Sequence, residues 1–197
     1  MRLSDAAHID QPWRIHEIAP DFELEDVWVL PTPGGPDDLS RLVHQFASPD
    51  DDEISAFAVR TLFAIRWRLG SLLHWDDAGT GLGSRVPSLR KRLPDDLRIG
   101  PRGPDLQVVP FRSVYQTETE WVAELANRTV HALLHIGWVR SGEGYTGQMA
   151  ALVKPNGRLG RVYLAGIKPI RRTIIYPRLI RSIGRNWPRY AVIETQP

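Results

Sequence analysis

The stretch that decides the fold reads Gly160-Arg161-Val162-Tyr163-Leu164-Ala165-Gly166-Ile167-Lys168-Pro169-Ile170. Its first part, Arg161 to Ile167, is predicted to be the last β-strand of a meander, because it follows the hairpin-like turn Pro155-Asn156-Gly157. A helix is predicted to begin at Lys168-Pro169, since proline is accommodated in a first helical turn. The stretch thus predicts a sheet that runs directly into a C-terminal helix.

The predicted C-terminal helix is amphipathic and basic. Four large side chains share one face at helical spacing: Tyr176, Ile180, Ile183 and Trp187. Three arginines share another face: Arg171, Arg178 and Arg185. Residues 154 to 190 include ten basic residues and no Asp or Glu. Pro177 either kinks this helix or marks its true start.

The N-terminal part has the opposite charge. Residues 1 to 53 contain thirteen acidic residues and three arginines, although the net charge of the whole chain is only +2. One explanation is that the acidic and basic parts pack against each other. The other is a basic face for an anionic ligand, a membrane surface or nucleic acid. The sequence leaves both explanations open.

Length and composition set the class of protein. The chain has 197 residues, 42% of them apolar, which fits one domain with a substantial core. The absence of cysteine excludes disulfides, thiol nucleophiles and Cys-ligated zinc. No apolar signal core follows Met1, and no apolar run reaches the roughly 18 residues of a membrane span. We expect a cytoplasmic protein.

The first half of the chain predicts a strand followed by two helices. Residues 1 to 20 are expected to be irregular, and residues 21 to 190 to form a single domain with a tail at 191 to 197. Alternation from Phe22 to Leu30 predicts the first strand. A short helix from Leu39 to Ala47 has Asp37 or Asp38 as a candidate cap, and a longer helix is predicted from Ser55 to about Trp75.

The second half predicts an antiparallel meander. A connection over residues 76 to 110 contains a short helix or turn at Ser88 to Leu93. Four strands are then expected, and hairpin-length loops separate them: Phe111 to Leu125, Thr129 to Val139, Tyr145 to Val153 and Arg161 to Ile167. The predicted fold class is therefore α+β, with a curved antiparallel sheet and a closing helix.

The predicted order of strand, two helices, meander and C-terminal helix resembles the helix-grip fold of the START and birch-pollen-allergen superfamily. In that superfamily a curved sheet wraps around a long C-terminal helix and encloses a deep cavity. Its members include polyketide cyclases and aromatases, lipid carriers and hormone receptors. The resemblance implies that this chain also has an internal cavity.

Three stretches resemble a bacterial domain-of-unknown-function family that is often fused behind domains similar to short-chain dehydrogenases/reductases. They are Asn127 to His135, Gly160 to Arg172, and Ile175 to Trp187. The resemblance covers most of residues 22 to 187. Because this chain lacks the fused reductase, the resemblance implies that a reductase partner would act in trans.

His131 and His135 are the first candidates for chemistry. On a helix their spacing would suit a metal, but Ala132 stands where the zinc-protease pattern requires Glu. On a strand, residues four apart lie about 13 Å from each other, too far to share one metal ion. We therefore predict no metal and keep either histidine as a general base. Alternation places both histidines on the less apolar face of their strand. If the more apolar face points toward the core, the two histidines lie outside it.

The run from Phe111 to Leu125 has an aromatic face with hydroxyls, as a cavity wall for an apolar, oxygenated ligand needs. An amphipathic strand over a filled core is the alternative. Alternation places seven residues on this face: Phe111, Ser113, Tyr115, Thr117, Thr119, Trp121 and Ala123. The predicted catalytic groups are Tyr115, His131, His135 and Tyr163. The predicted ligand contacts are Trp28, Trp67, Thr117, Thr119, Trp121, Tyr145, Arg171 and Tyr176.

Two other features bear on the chemistry of the chain. Glu124 either orients the imidazole of His131 or is a solvated cross-strand neighbour, and we favour the second. The glycine-rich stretch Gly79 to Gly83 lacks the spacing of a dinucleotide fingerprint, and no nucleophile elbow or Walker sequence occurs. No cofactor is predicted.

The leading functional hypothesis follows from the helix-grip resemblance. It is that the protein binds an apolar, oxygenated small molecule and catalyses a cofactor-free cyclisation, dehydration or isomerisation in natural-product metabolism, with Tyr or His moving a proton. One alternative is a non-catalytic lipid or metabolite carrier. Another is an interaction module whose arginine ridge, Arg171, Arg178 and Arg185, binds a membrane surface or an acidic carrier protein. Nucleic acid is disfavoured, because no recognition motif is present.

Overall fold

The computed structural model describes residues 1–48, 86–107, 109–127 and 129–191. The helix predicted from Ser55 to Trp75 lies outside these residues. The described residues form an antiparallel sheet of five strands, arranged in the order β1-β5-β4-β3-β2. The strands are β1 (Glu23–Val29), β2 (Arg112–Gln116), β3 (Glu120–Ala126), β4 (Val130–Ser141) and β5 (Gly144–Pro155).

Several elements follow the sequence pattern. Strands β1, β4 and β5 are confirmed, and helix α3 (Leu39–Ala47) has the predicted bounds. The long β4–β5 hairpin turns at Gly142, whose φ of 61° favours glycine. A 3-10 turn (Leu89–Arg92) lies within the predicted short helix at Ser88 to Leu93. The strands lie in apolar-rich runs bounded by turn residues, and α3 has its apolar residues at helical spacing.

The long strand predicted from Phe111 to Leu125 is wrong, because the chain turns back within it. Strands β2 and β3 pair antiparallel around a turn at Thr117 to Thr119. The Thr117 hydroxyl oxygen accepts hydrogen bonds from the backbone N–H groups of Thr119 (3.3 Å) and Glu120 (3.1 Å). This local side-chain bonding competes with an extended ladder and closes the turn.

The strand predicted from Arg161 to Ile167 is also wrong. The segment belongs to helix α5 (Gly157–Ile170), which begins well before Lys168-Pro169. Its buried residues recur at helical spacing, at Gly160, Leu164 and Ile167, while Val162 is 70% exposed. The segment is therefore helical, because its buried residues recur with the helical period, although its local propensity favours a strand.

The C-terminal helix consists of α5, one π-helical turn (Arg171–Ile175) and α6 (Tyr176–Ala191), which follow one another without a break. The widened turn lies directly before Tyr176-Pro177. Proline has no N–H to donate to the carbonyl four residues back, so a regular helix would lose a hydrogen bond here. The π turn also changes the helical phase, which turns Arg171 away from the exposed Arg178 and Arg185. The predicted continuous arginine ridge is therefore wrong at Arg171.

The sheet is covered on both faces. We call the side that packs on the C-terminal helix and α3 the helix face. It carries Trp28, Trp121, Ile136, Trp138 and Met149, among other residues that pack with Ile180 and Ile183 of the helix. The opposite side, the N-terminal face, packs its Val27, Val122 and Ala150 against Trp13, Ile15 and Leu89.

The first twenty residues are not irregular. They form two single-turn helices, α1 (Ala6–Ile9) and α2 (Ile15–Ile18), and the backbone of Leu3 donates to the Val27 carbonyl of β1 at 2.8 Å. The Trp13 ring lies directly over Gly137, where an added Cβ would approach it to 2.2 Å. Helix α4 (Asp95–Ile99), which the sequence patterns missed, covers the same face through Leu97.

The architecture is a mixed α+β fold in which a long C-terminal helix lies against a curved antiparallel sheet. This agrees with the predicted fold class and is consistent with the helix-grip arrangement. The acidic and basic parts of the chain pack together through side chains of β1 and the C-terminal helix. Within the described ranges, no helix is both long and apolar enough to cross a membrane.

Candidate functional site

A cavity of about 280 Å³ lies between the helix face of the sheet and the C-terminal helix. Its volume is close to the lower end of the range typical of small-molecule sites. Most of the described lining is apolar, and it includes Phe46, Leu106, Phe111, Leu125, Ala132, Leu134, Met149, Ala151, Val153, Leu164, Ile167, Ile175, Leu179 and Ile183. Two of the lining side chains are small, Ala132 of β4 and Ala151 of β5, and they leave room between the sheet and the helix.

A few polar groups interrupt this lining. Gln45, at the end of α3, is 6% exposed, and its Nε2 donates to the Ile183 carbonyl at 3.0 Å. Tyr163 and Tyr176 of the C-terminal helix also line the cavity. Burial raises the pKa of Tyr176 to about 12, although the neighbouring Arg171 lowers it. The Tyr176 hydroxyl therefore keeps its proton at neutral pH and is able to donate a hydrogen bond.

Arg171 lines one part of the cavity and joins it to a buried ion cluster. Its Nη2 donates to Asp26 at 2.9 Å and to Glu25 at 3.0 Å, and Asp26 is fully buried. Arg172 also pairs with Asp26, and Lys168 pairs with Glu25 at 3.1 Å. These pairs fix the π turn against β1 and support the charge-packing explanation of the sequence.

The N-terminal face holds a different constellation, a buried chain of polar side chains. His135 Nε2 lies 3.0 Å from Glu120 Oε2, and His135 Nδ1 lies 3.2 Å from His8 Nε2. The other Glu120 oxygen accepts from the Arg14 backbone N–H at 2.8 Å. Tyr115 is buried beside the same carboxylate, which together with burial raises the pKa of its hydroxyl. This chain ties the N-terminal segment to β3 and β4.

A second carboxylate and histidine pair lies on the same face. Glu124 Oε2 is 2.9 Å from His131 Nε2 and accepts from the Leu89 backbone N–H at 2.9 Å, while Glu124 Oε1 accepts from the Ser88 hydroxyl. Both partners are buried, so the solvated interpretation of Glu124 is wrong. Burial alone would raise the pKa of Glu124, but the hydrogen bonds of His131, Leu89 and Ser88 hold it below its usual value.

Burial and charge keep the central histidines neutral. Burial, followed by the charges of His135 and His16, lowers the pKa of His8 to about 2. Burial also lowers the pKa of His135, although Glu120 acts in the opposite direction. Two neutral imidazoles and a carboxylate packed under Trp13 form an anchor for the N-terminal segment. No exposed ring nitrogen is left here for a substrate, since His8 and His135 are both almost completely buried.

The structure separates the predicted catalytic residues. Tyr163 lines the cavity, whereas Tyr115, His131 and His135 belong to the N-terminal face. A group on that face cannot contact a ligand in the cavity, because the sheet lies between them. A bulge between Ser113 and Tyr115 shifts the pleat, which places Tyr115 on the face opposite the one predicted for it together with Trp121.

The predicted ligand contacts are also divided. Arg171 and Tyr176 line the cavity. Trp28 packs edge-on against Tyr176 at 5.8 Å between ring centroids, so it supports the lining without belonging to it. Trp121 donates to Ser113 at 2.7 Å inside the core, and Thr117 and Thr119 form the β2–β3 turn. Trp67 lies outside the described residues.

The sequence prediction of the site included Tyr145 wrongly and missed Gln45. Tyr145 was predicted to contact the ligand, but it sits at the β5 end of the hairpin, where its backbone pairs with Gly34 at 3.0 Å, and it does not line the cavity. Gln45 was not predicted. Its signal was present in α3, where one glutamine stands beside the buried residues Leu42 and Val43 on an otherwise apolar face.

Fold and cavity together define the class: an α+β domain with a mostly apolar cavity between its antiparallel sheet and its long C-terminal helix. The chain matches the family model described as Protein of unknown function (DUF2867) over residues 18–178, and it belongs to that family. The matched residues include all five strands and the π turn. No curated protein and no solved structure matches the chain.

Proposed function

We propose that this protein binds an apolar, oxygenated small molecule in the cavity between the helix face and the C-terminal helix. The observation that carries the proposal is the cavity itself, about 280 Å³ of mostly apolar space between the sheet and the C-terminal helix. Empty apolar space costs folding free energy, since its lining loses van der Waals contacts. A bound apolar molecule would restore those contacts, and the tyrosine hydroxyls would hydrogen-bond its oxygen atoms.

The lining favours a binding protein over an enzyme. Its described residues include Tyr163, Tyr176 and Arg171 but no His, Asp or Glu, so the usual general bases are missing from this part of the site. Arg171 is already paired with Asp26 and Glu25. We therefore rank a carrier or sensor of a cytoplasmic metabolite above the cofactor-free cyclase. The resemblance to the START and birch-pollen-allergen superfamily fits both candidates, because that superfamily includes lipid carriers and hormone receptors as well as cyclases.

A fluorophore binding experiment tests the proposal. N-phenyl-naphthylamine, an apolar dye that brightens in dry sites, should bind the wild-type protein with saturable fluorescence. The variant Ala151→Phe places a ring in the cavity and should lose this signal. The matched variant Val162→Phe adds the same ring at an exposed position of α5 and should bind as the wild type does. Equal binding by Ala151→Phe and the wild type would place the dye elsewhere and contradict the proposal.

A further inference from the structure

Arg171 brings two unused N–H donors to the cavity. A guanidinium has five N–H groups. Three of them are used here: Nε donates to Asp26 Oδ2 at 3.2 Å, and Nη2 donates to Asp26 Oδ2 at 2.9 Å and to Glu25 Oε2 at 3.0 Å. The other two belong to Nη1, which makes no hydrogen bond with the described residues. Arg171 is a lining residue of the cavity.

The Nη1 atom is accessible as well as unpaired. Six polar side-chain atoms in the described part of the chain are buried without a hydrogen-bond partner, and Arg171 Nη1 is not one of them. A water-sized molecule can therefore touch Nη1, although the side chain of Arg171 as a whole is only 9% exposed. An acceptor on a ligand in the cavity can take the place of that water.

The ion cluster around Arg171 has more cations than anions. Four cationic side chains share two carboxylates: Arg2, Lys168, Arg171 and Arg172 with Glu25 and Asp26. The side chains of the other three cations are 27% to 44% exposed, so water and counterions stabilise their charge. Arg171 is the most buried of the four, and it lines the cavity. A negative charge at this end of the cavity would be stabilised by the excess positive charge.

The π turn brings a second donor to the same place. Tyr176 follows Arg171 by five residues, the spacing of one π-helical hydrogen bond, and both side chains line the cavity. The Cζ atom of Arg171 lies 5.7 Å from the centroid of the Tyr176 ring. The Tyr176 hydroxyl keeps its proton at neutral pH, and it is not among the buried, unpaired atoms of the described residues. It can therefore donate to the acceptor that Arg171 binds.

We infer that the ligand is an amphipathic carboxylic acid, whose carboxylate accepts hydrogen bonds from Arg171 Nη1 and the Tyr176 hydroxyl while its hydrocarbon chain lies along the apolar lining. This inference rests on the proposed function and makes it more specific. Asp26 and Glu25 already hold the guanidinium in place, so a carboxylate binds without having to order a free side chain. A neutral molecule of the same shape gains no charge-assisted hydrogen bond.

Two probes of nearly the same shape test the inference: octanoate and octanamide. At neutral pH the acid is ionised and the amide is not. Each is titrated against the wild-type protein by isothermal titration calorimetry, which does not depend on the dye. We expect octanoate to bind at least about tenfold more tightly, because hydrogen bonds between charged groups are the stronger ones.

Two arginine variants identify the group that binds the carboxylate. Arg171→Gln removes Nη1 and the charge, while Arg172 and Lys168 still pair with Asp26 and Glu25. The preference for octanoate should disappear in this variant. Arg172→Gln is the matched control, because Arg172 pairs with the same Asp26 but does not line the cavity. It should bind octanoate within about threefold of the wild type.

A third variant identifies the place of binding. Ala151→Phe fills the cavity and leaves the exposed arginines of the C-terminal helix unchanged. Octanoate should no longer bind to it. If Ala151→Phe binds octanoate as the wild type does, the acid binds to the basic surface instead, and the inference is wrong.

The outcomes separate the inference from the proposed function. If the wild type binds both probes equally, or prefers octanamide, the inference is wrong while cavity binding stands. If the wild type binds neither probe, both are overturned. Equal losses in Arg171→Gln and Arg172→Gln also overturn the inference, since the whole cluster would then attract the acid. Should Arg171→Gln fail to fold, the two probes on the wild type and on Ala151→Phe still decide.

Discussion

The two faces of the sheet are both covered by other parts of the chain, but by different kinds of side chain. On the N-terminal face, Glu120, His135 and His8 form a hydrogen-bonded chain within closely packed side chains. On the helix face, alanines and long apolar side chains leave a cavity with few polar atoms. The buried carboxylate and histidine groups therefore lie on the face opposite the cavity, and among the described residues the cavity lining contains no His, Asp or Glu. Residue chemistry alone is a poor guide to a site until the face is known.

Removing a carboxylate from the N-terminal face should have the largest effect. Glu120→Leu takes away the partner of His135, which is fully buried, and of the Arg14 backbone N–H, which is partly buried. We expect the free energy of unfolding to fall by about 3–5 kcal/mol, measured by urea denaturation.

Glu118→Leu is the matched control for this variant. Glu118 lies two residues earlier, exposed in the β2–β3 turn, and its loss should change stability by less than about 0.5 kcal/mol. Similar losses for the two variants would mean that the buried chain does not anchor the N-terminal segment.

Acid should weaken the N-terminal face through its histidines. The pKa of His8 is lowered to about 2 by burial and by the charges of His135 and His16, and burial lowers the pKa of His135 as well. Below about pH 6.5 the unfolded chain binds protons that the folded protein does not, so stability falls as the pH falls. Between pH 7 and pH 5 we expect a loss of about 2–4 kcal/mol from urea unfolding curves.

His8→Phe tests the source of this pH dependence. Without the titrating ring, the loss between pH 7 and pH 5 should shrink by about 2 kcal/mol. His44→Phe, which changes an exposed histidine of α3, should keep the wild-type pH dependence. If His8→Phe has the same pH dependence as the wild type, the assignment to His8 is wrong.

Two neighbouring alanines of β5 compare the faces directly. Ala150 packs into the N-terminal core, and Ala151 lines the cavity. Ala150→Leu should cost about 1–3 kcal/mol, because it overfills a packed core. Ala151→Leu fills existing space and should change stability by less than about 1 kcal/mol in either direction. Equal losses in thermal or urea unfolding would show that the helix face is as full as the other.

Much of the fold could be predicted from local sequence patterns. Strand β1 lies in an apolar-rich run that ends before Pro31, and β4 and β5 are separated by a glycine-rich hairpin loop. Helix α3 presents its apolar residues at helical spacing. The sequence also predicted three site residues that do line the cavity: Tyr163, Arg171 and Tyr176.

The remaining features depend on contacts that local patterns do not contain. In the segment Arg161 to Ile167, strand propensity hid the helical spacing of Gly160, Leu164 and Ile167. The turn at Thr117 and the bulge after Ser113 each changed which residues of the β2–β3 region share a face. A one-residue error in register moves every following side chain to the other side of a sheet.

The packing of residues 1 to 20 on the N-terminal face could not be predicted from local patterns either. The sequence patterns predict residues 1 to 20 to be irregular, yet Trp13, Ile15 and Ile18 are buried core residues. Because this segment packs on the sheet through contacts more than a hundred residues apart in sequence, such as His8 with His135, no local pattern reveals it. Its packing helps to bury His135, which contacts His8, whereas His131 is buried against Phe22 and Glu124.

Native mass spectrometry of the protein purified from its own host tests the central claim most directly. The wild type should carry one apolar compound that is released on denaturation, and Ala151→Phe, purified in the same way, should be empty. Such a result would establish that the helix-face cavity holds the ligand and would supply its mass. A wild-type protein that carries nothing, or an Ala151→Phe protein that carries the same compound, would contradict the account.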